Sequence, residues 1–156
     1  MTRRRAVQRA VAVAVAVLLA DQVVKAMVRG SIGRTERIDV LPGLDLVNTR
    51  NSGVAFGFFS GGGTVVAVVA AAALAALLVF FATHLERPLV WLPTGLLIGG
   101  AAGNLIDRAR EGAVTDFVDL PLWPAFNLAD AAITIGVLTL LYVLEGPPSR
   151  GPDRRA

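Results

Sequence analysis

The sequence has 156 residues, of which 54% are hydrophobic and 17% charged, and a formal net charge of +3. That length suggests one domain, and with a mean hydropathy of +0.63 the chain carries too little charge to cover a water-exposed surface. It has no cysteine, which excludes disulfides, thiolate metal sites and cysteine nucleophiles.

Arginines gather at both ends, as Arg3, Arg4, Arg5 and Arg9 and as Arg150, Arg154 and Arg155, and each group abuts an apolar run. This pattern orients a chain in a membrane; it does not point to nucleic acid. A helix crossing the hydrocarbon core needs about 20 residues. The first such segment runs from about Ala10 to Val28. Its uncharged part, Ala10 to Ala20, is too short to span, so the helix must continue through Asp21, Gln22 and Lys25. Asp21 and Lys25 are i, i+4 neighbours and offset each other. A cleavable signal peptide with Arg3 to Arg5 as its basic region is the competing reading, but Leu18-Leu19-Ala20 lacks a small residue three positions before the cut.

An outer loop at about 30–60 follows. In it Arg37–Leu41 and Leu44–Asn48 alternate polar and apolar residues around Pro42-Gly43, which predicts a hairpin lying on the outer membrane surface. Gly61-Gly62-Gly63 reads as a flexible joint. The second span is Thr64 to Thr83, without a charge, and the third runs from Leu89 to about Ile106. Pro93 falls in the first turn of the third span, where a missing amide hydrogen costs little. Gly99 and Gly103 form a small-xxx-small pair that allows close helix packing. The fourth span, Phe126 to Leu144, is stopped by Gly146-Pro147-Pro148. Four spans put both basic termini on the cytoplasmic side with the His84–Arg87 turn, and the connections 29–63 and 107–125 outside. Residues 1–146 then form the membrane domain, and 147–156 a disordered basic tail.

Charges within membrane helices are functional hypotheses by default. Asp21, Asp107, Asp130 and the loop residue Asp116 all fall at the same membrane face in this topology. Asp130 lies one turn into the fourth segment and shares a face with Asn127. A lone carboxylate in such a place takes up a proton, whereas two close together share one. One of the pair can accept a proton from water while the other donates to a carbonyl oxygen, which suffices for peptide hydrolysis without metal or covalent intermediate. Asp107, next to Arg108 and on a face with Asn104, reads as a helix-end ion pair. Asp116, flanked by Val114 and Phe117 with no adjacent cation, is the preferred partner, and Asp119 reads as solvated. The single histidine, His84, lies on the opposite turn, so neither a Ser-His-Asp triad nor a histidine-bearing zinc site can form. A carboxylate-only magnesium site would need no more than two of these groups.

Five blocks, in order, resemble the lipoprotein signal peptidase (signal peptidase II) family: Asp21-Gln22-Val23-Val24-Lys25, Asn51-Ser52-Gly53-Val54-Ala55-Phe56, Gly103-Asn104-Leu105-Ile106-Asp107-Arg108, Val114-Thr115-Asp116-Phe117 and Phe126-Asn127-Leu128-Ala129-Asp130. The resemblance covers about residues 10 to 145 and implies an all-α membrane protein, a four-transmembrane-helix bundle with a small β-structured extracytoplasmic cradle. It implies Asp116 and Asp130 as the catalytic pair. It further implies orienting or substrate-holding roles for Asp21, Lys25, Asn51, Gly53, Asn104, Asp107, Arg108 and Asn127. Val54 stands where the family more often has Ala. The implied substrate is a diacylglyceryl-modified prolipoprotein cut just before its lipidated cysteine, within membrane lipid. No cofactor, metal or nucleic acid is implied, and nothing beyond a monomer is needed. The rival from another class is a small proton- or cation-coupled carrier, which would more often show inverted repeats or broken helices.

Overall fold

The computed structural model describes residues 2–52, 62–84, 87 and 89–145, with the side chains at 62–67 excepted. In chain order the elements are α1 (Arg3–Ser31), β1 (Arg37–Leu41), β2 (Leu44–Asn51), α2 (Gly62–Thr83), α3 (Trp91–Glu111), β3 (Val114–Leu120), β4 (Trp123–Phe126) and α4 (Leu128–Glu145). The fold is therefore mostly helical, with one small antiparallel sheet in the order β1-β2-β3-β4.

With no proline and no turn signal between Arg3 and Ser31, α1 extends beyond the expected Ala10–Val28 at both ends and reaches about 43 Å. Val7, Val11, Val15, Leu19, Val23 and Met27 recur every fourth residue along it and are all exposed. Ala6, Ala10, Asp21, Lys25 and Val28 are buried on its other side. An apolar stripe turned outward and charges turned inward invert the pattern of a water-soluble helix. By length and composition, α1 and α4 are each able to cross a membrane. In α2 the described part of the apolar run is Val68–Thr83. Gly62 and Gly63 belong to that helix and do not form a joint ahead of it; Gly61 lies outside the described residues.

Glycines make α3 the central helix. A Cβ at Gly95 would lie 2.7 Å from the Ala10 carbonyl oxygen, and one at Gly99 2.6 Å from that of Ala14, so α1 is packed backbone to backbone. On another side of α3, a Cβ at Gly100 would come within 2.5 Å of the Ala129 oxygen. Residue numbers rise together along the α1–α3 contact. They run in opposite senses between α3 and α4, where Gly100 meets Ala129 and Leu97 meets Gly136. Pro93 sits buried in the first turn of α3, and Gly112 closes that helix in the left-handed region at φ 72°.

The expected hairpin is present, with Gly43 at φ 81° in its turn. The connection after α3 is itself a second hairpin, β3 and β4, which completes the sheet through pairing of β2 with β3. Phe126, expected in the fourth span, ends β4 instead. Val28, Ile32 and Phe117 form one apolar cluster, with Val24, Leu46 and Val118 packed on it, fastening the sheet to the end of α1. A second cluster, Ala10, Phe81 and Val90, lies at the other end of the bundle. Between the two lies a layer of buried polar side chains.

Candidate active site

The buried layer is assembled from α1, α3, β3 and the start of α4, and includes Asp21, Lys25, Asn104, Asp107, Thr115, Asp116 and Asn127. Polar groups at such depth demand partners, and nearly every one here has several.

Asn127 and Asp130 hold each other at the N-terminus of α4. The Asp130 amide donates to Asn127 Oδ1 at 3.0 Å, and the Asn127 amide donates to Asp130 Oδ2 at 3.3 Å. This is a reciprocal capping box. Asp130 therefore belongs to the first turn of α4 and does not lie deeper among apolar residues, and its carboxylate also benefits from the positive end of the helix. Its Oδ1 accepts a 2.7 Å bond from Asn104 Nδ2.

Asp116 approaches from β3, opposite Thr49 of β2. It is 1% exposed. Its Oδ1 accepts from Asn127 Nδ2 at 2.7 Å and its Oδ2 from Asn51 Nδ2 at 3.0 Å. Asn127 thus touches both carboxylates, one through its amide side chain and the other through its backbone. Burial pushes the Asp116 carboxyl above the usual carboxylate range. Its hydrogen bonds from Asn51 and Asn127 oppose the shift, and the neighbouring Asp130 adds to it.

Lys25 is the hub of the supporting network. Its Nζ is fully buried and lies 2.9 Å from Asp21 Oδ2, 3.1 Å from Asp107 Oδ2 and 2.9 Å from Asn104 Oδ1. The Asp21–Lys25 pair expected from i, i+4 spacing is present. The Asp107–Arg108 pair is not, because adjacent residues on a helix do not face each other. Asp107 instead meets Lys25, receives the Thr115 amide at 3.1 Å and lies 3.7 Å from Arg29. Arg108 turns toward the Asn104 carbonyl at 3.4 Å, and its buried Nε has no hydrogen-bond partner among the described residues. Asp119, expected to be solvated, pairs with Arg37 at 2.7 Å on the sheet.

Besides Thr115 and Arg29, two more contributors stand outside the expected site residues. Gln22 Nε2 joins Asp21 Oδ2 at 3.2 Å, the Gly103 carbonyl at 3.3 Å and Asp107 Oδ1 at 3.0 Å. Gly103 itself is required by space, since a Cβ there would lie 2.6 Å from Asp21 Oδ2. Asp21 Oδ1 in turn accepts the Ala129 amide at 3.0 Å, which ties α1 to the first turn of α4. Gly53, with Val54 of the same block, lies outside the described residues. So do the expected tail, 147–156, and Leu85 and Glu86 of the expected turn.

The arrangement unites two carboxylates with three amide side chains, fixed by a buried cation at one remove. It can hold a water and shift protons across it. Comparison with known proteins agrees on one family. The profile described as signal peptidase (SPase) II matches residues 13–145. The lipoprotein signal peptidase of Halothermothrix orenii is 38% identical over 129 residues, covering 82% of this chain and 89% of its own length. That of Syntrophomonas wolfei subsp. wolfei is 41% identical over 133 residues, covering 83% and 89%. Two solved structures, each described as a bacterial membrane enzyme obtained by the in meso method, share the fold at a TM-score of 0.81. One is 31% identical and covers 94% of this chain and 93% of its own. The other is 33% identical and covers 86% and 91%.

Proposed function

Because the chain belongs to the signal peptidase II family, we propose that it is an aspartic endopeptidase of the bacterial inner membrane. It removes the signal peptide of diacylglyceryl-modified prolipoproteins, cutting before the lipidated cysteine. The observation that carries the aspartic chemistry is Asn127, bonded at once to Asp116 and to Asp130. A water held between the two carboxylates gives a proton to one of them as its oxygen attacks the scissile carbonyl. The other donates a proton to the carbonyl oxygen. Collapse of the tetrahedral adduct breaks the C–N bond, the proton taken from water passes to the departing cysteine nitrogen, and the proton lent to the carbonyl oxygen returns to its donor. Asp116, whose carboxyl is held above the usual range, suits the donor role at the start of the cycle. Asn51 and Asn104 orient the pair, and Lys25, itself fixed by Asp21 and Asp107, holds Asn104 in place.

All four helices span in this reading, with both termini cytoplasmic and the dyad near the extracytoplasmic face. Along α1, Arg3 and Asp21 are about 27 Å apart, close to the roughly 30 Å thickness of the hydrocarbon core. Arginines at one end therefore set the polar layer near the other face. An apolar groove of about 450 Å³ between α2, α3 and α4, walled by residues such as Leu74, Leu97, Ile133 and Val137, ends at Asn104 and Arg108. It suits the apolar stretch of a signal peptide. Arg108 Nε, without a partner among the described residues, is a donor for a substrate carbonyl. The enzyme works as a monomer without metal or other cofactor.

The test is cleavage of a diacylglyceryl-modified prolipoprotein by purified protein in detergent, wild type beside Asp130→Asn, with and without a chelator. Cleavage by wild type alone, unchanged by the chelator, is expected. Failure of both to cleave, while the same preparation carries protons or cations across liposomes, would replace the peptidase with a carrier.

A further inference from the structure

Away from the dyad, a second apolar groove of about 490 Å³ runs between α1, α2 and α3. Among the described residues, no polar side chain lines it. Val7, Val11 and Leu18 form one wall, Leu78 and Phe81 another, and Gly99 part of its floor. From Val7 to Leu18 the groove is about 16 Å long, about half the roughly 30 Å hydrocarbon core. Its length is thus that of one leaflet.

The end of this groove is basic. Arg3 donates to the carbonyl of Ala82 at 3.5 Å, and Ala82 itself lines the groove, so the guanidinium stands at its mouth. Helical spacing sets Arg3 and Arg4 each about one turn before Val7, flanking the stripe that continues through Val11. Arg5 falls on the opposite side of α1. The first turn of α1 holds no acidic residue, and among the described residues no carboxylate pairs with Arg3 or Arg4.

We propose that this groove, with Arg3 and Arg4 at its mouth, binds an anionic glycerophospholipid from the leaflet on that side. One acyl chain lies in the groove and the phosphate sits between the two guanidinium groups. A lipid without net charge would fill the groove but leave the two arginine charges uncompensated, and a free anion would meet the arginines but leave the groove empty. An amphiphile with a negative head satisfies both, as basic pockets between membrane helices do for acidic lipids.

The experiment is native mass spectrometry of the whole chain released from micelles doped with phosphatidylglycerol or with phosphatidylcholine of the same chains. Glycerol phosphate serves as a headgroup without chains, and circular dichroism verifies that each variant is folded. One phosphatidylglycerol should be retained at least about tenfold more often than phosphatidylcholine. Arg3→Gln/Arg4→Gln should abolish that preference and Arg5→Gln keep it. Ala82→Phe, which fills the mouth, should lower retention of both lipids. Equal retention of the two lipids by the unaltered chain would overturn the proposal. So would an unchanged preference in the double variant, or displacement of the lipid by glycerol phosphate at equal concentration.

Discussion

Replacing Gly103 by alanine probes how tightly the packing of α1 on α3 controls the dyad. The new Cβ would lie 2.6 Å from Asp21 Oδ2 and 3.3 Å from its Cγ, about 0.8 Å short of the 3.4 Å at which ordinary contact begins. Asp21 has little room to yield, because Lys25, Gln22 and the Ala129 amide all hold its carboxylate. Overpacking of this kind costs about 1–3 kcal/mol. If Asp21 shifts, its bond to the Ala129 amide goes, and the first turn of α4 moves with Asp130 on it. A displacement approaching 1 Å at a reacting group lowers turnover by about a hundredfold. Gly99→Ala is the control. It meets the Ala14 carbonyl at 2.6 Å, an equal packing conflict one turn farther from the dyad. The assay is prolipoprotein cleavage at saturating substrate, paired with thermal unfolding in the same detergent. Both variants should lose stability, and Gly103→Ala should lose far more turnover. Equal loss of turnover in the two would refute the link between Asp21 and the dyad.

Two further predictions concern Asp116. Its carboxyl is raised in the folded state above the ordinary value of 3.8, chiefly by burial. A group raised in this way contributes stability that is full below the unfolded pKa and lost as pH rises through the folded value. Asp116→Asn should therefore raise the midpoint of thermal unfolding at about pH 7 relative to wild type and lose that advantage at about pH 3; an advantage that grows toward acid would contradict the sign. The Asn51 hydrogen bond favours the ionised form of Asp116, so Asn51→Ala should move the pH–rate profile toward alkaline pH, and a shift toward acid would show that this bond does not act on the titrating group.

Much of this is legible along the chain. The Asp21–Lys25 pair follows from helical spacing, and the β1–β2 hairpin from alternation around Pro42-Gly43. β3 is not legible as a strand because its first four residues are all buried, so it lacks the alternation of a half-exposed strand. The partner of Asp107 lies on another helix, and no local spacing gives a contact of that range. Asn127 and Asp130 do carry a local signal: an Asn with a carboxylate three residues on, at a helix start, is the pattern of a capping box. A span begun at Phe126 puts Asn127 inside the helix, whereas α4 starts at Leu128 with Asn127 as its cap.

The central claim is that Asp116 and Asp130 act as one unit on a shared water. It is tested most directly by measuring cleavage with Asp116→Asn, Asp130→Asn and the double variant, each at matched protein level. Residues that act together lose activity non-additively. The account predicts that either single change abolishes turnover and that the double variant is no worse than either. Near-normal cleavage by one single variant, or losses that multiply in the double variant, would contradict it.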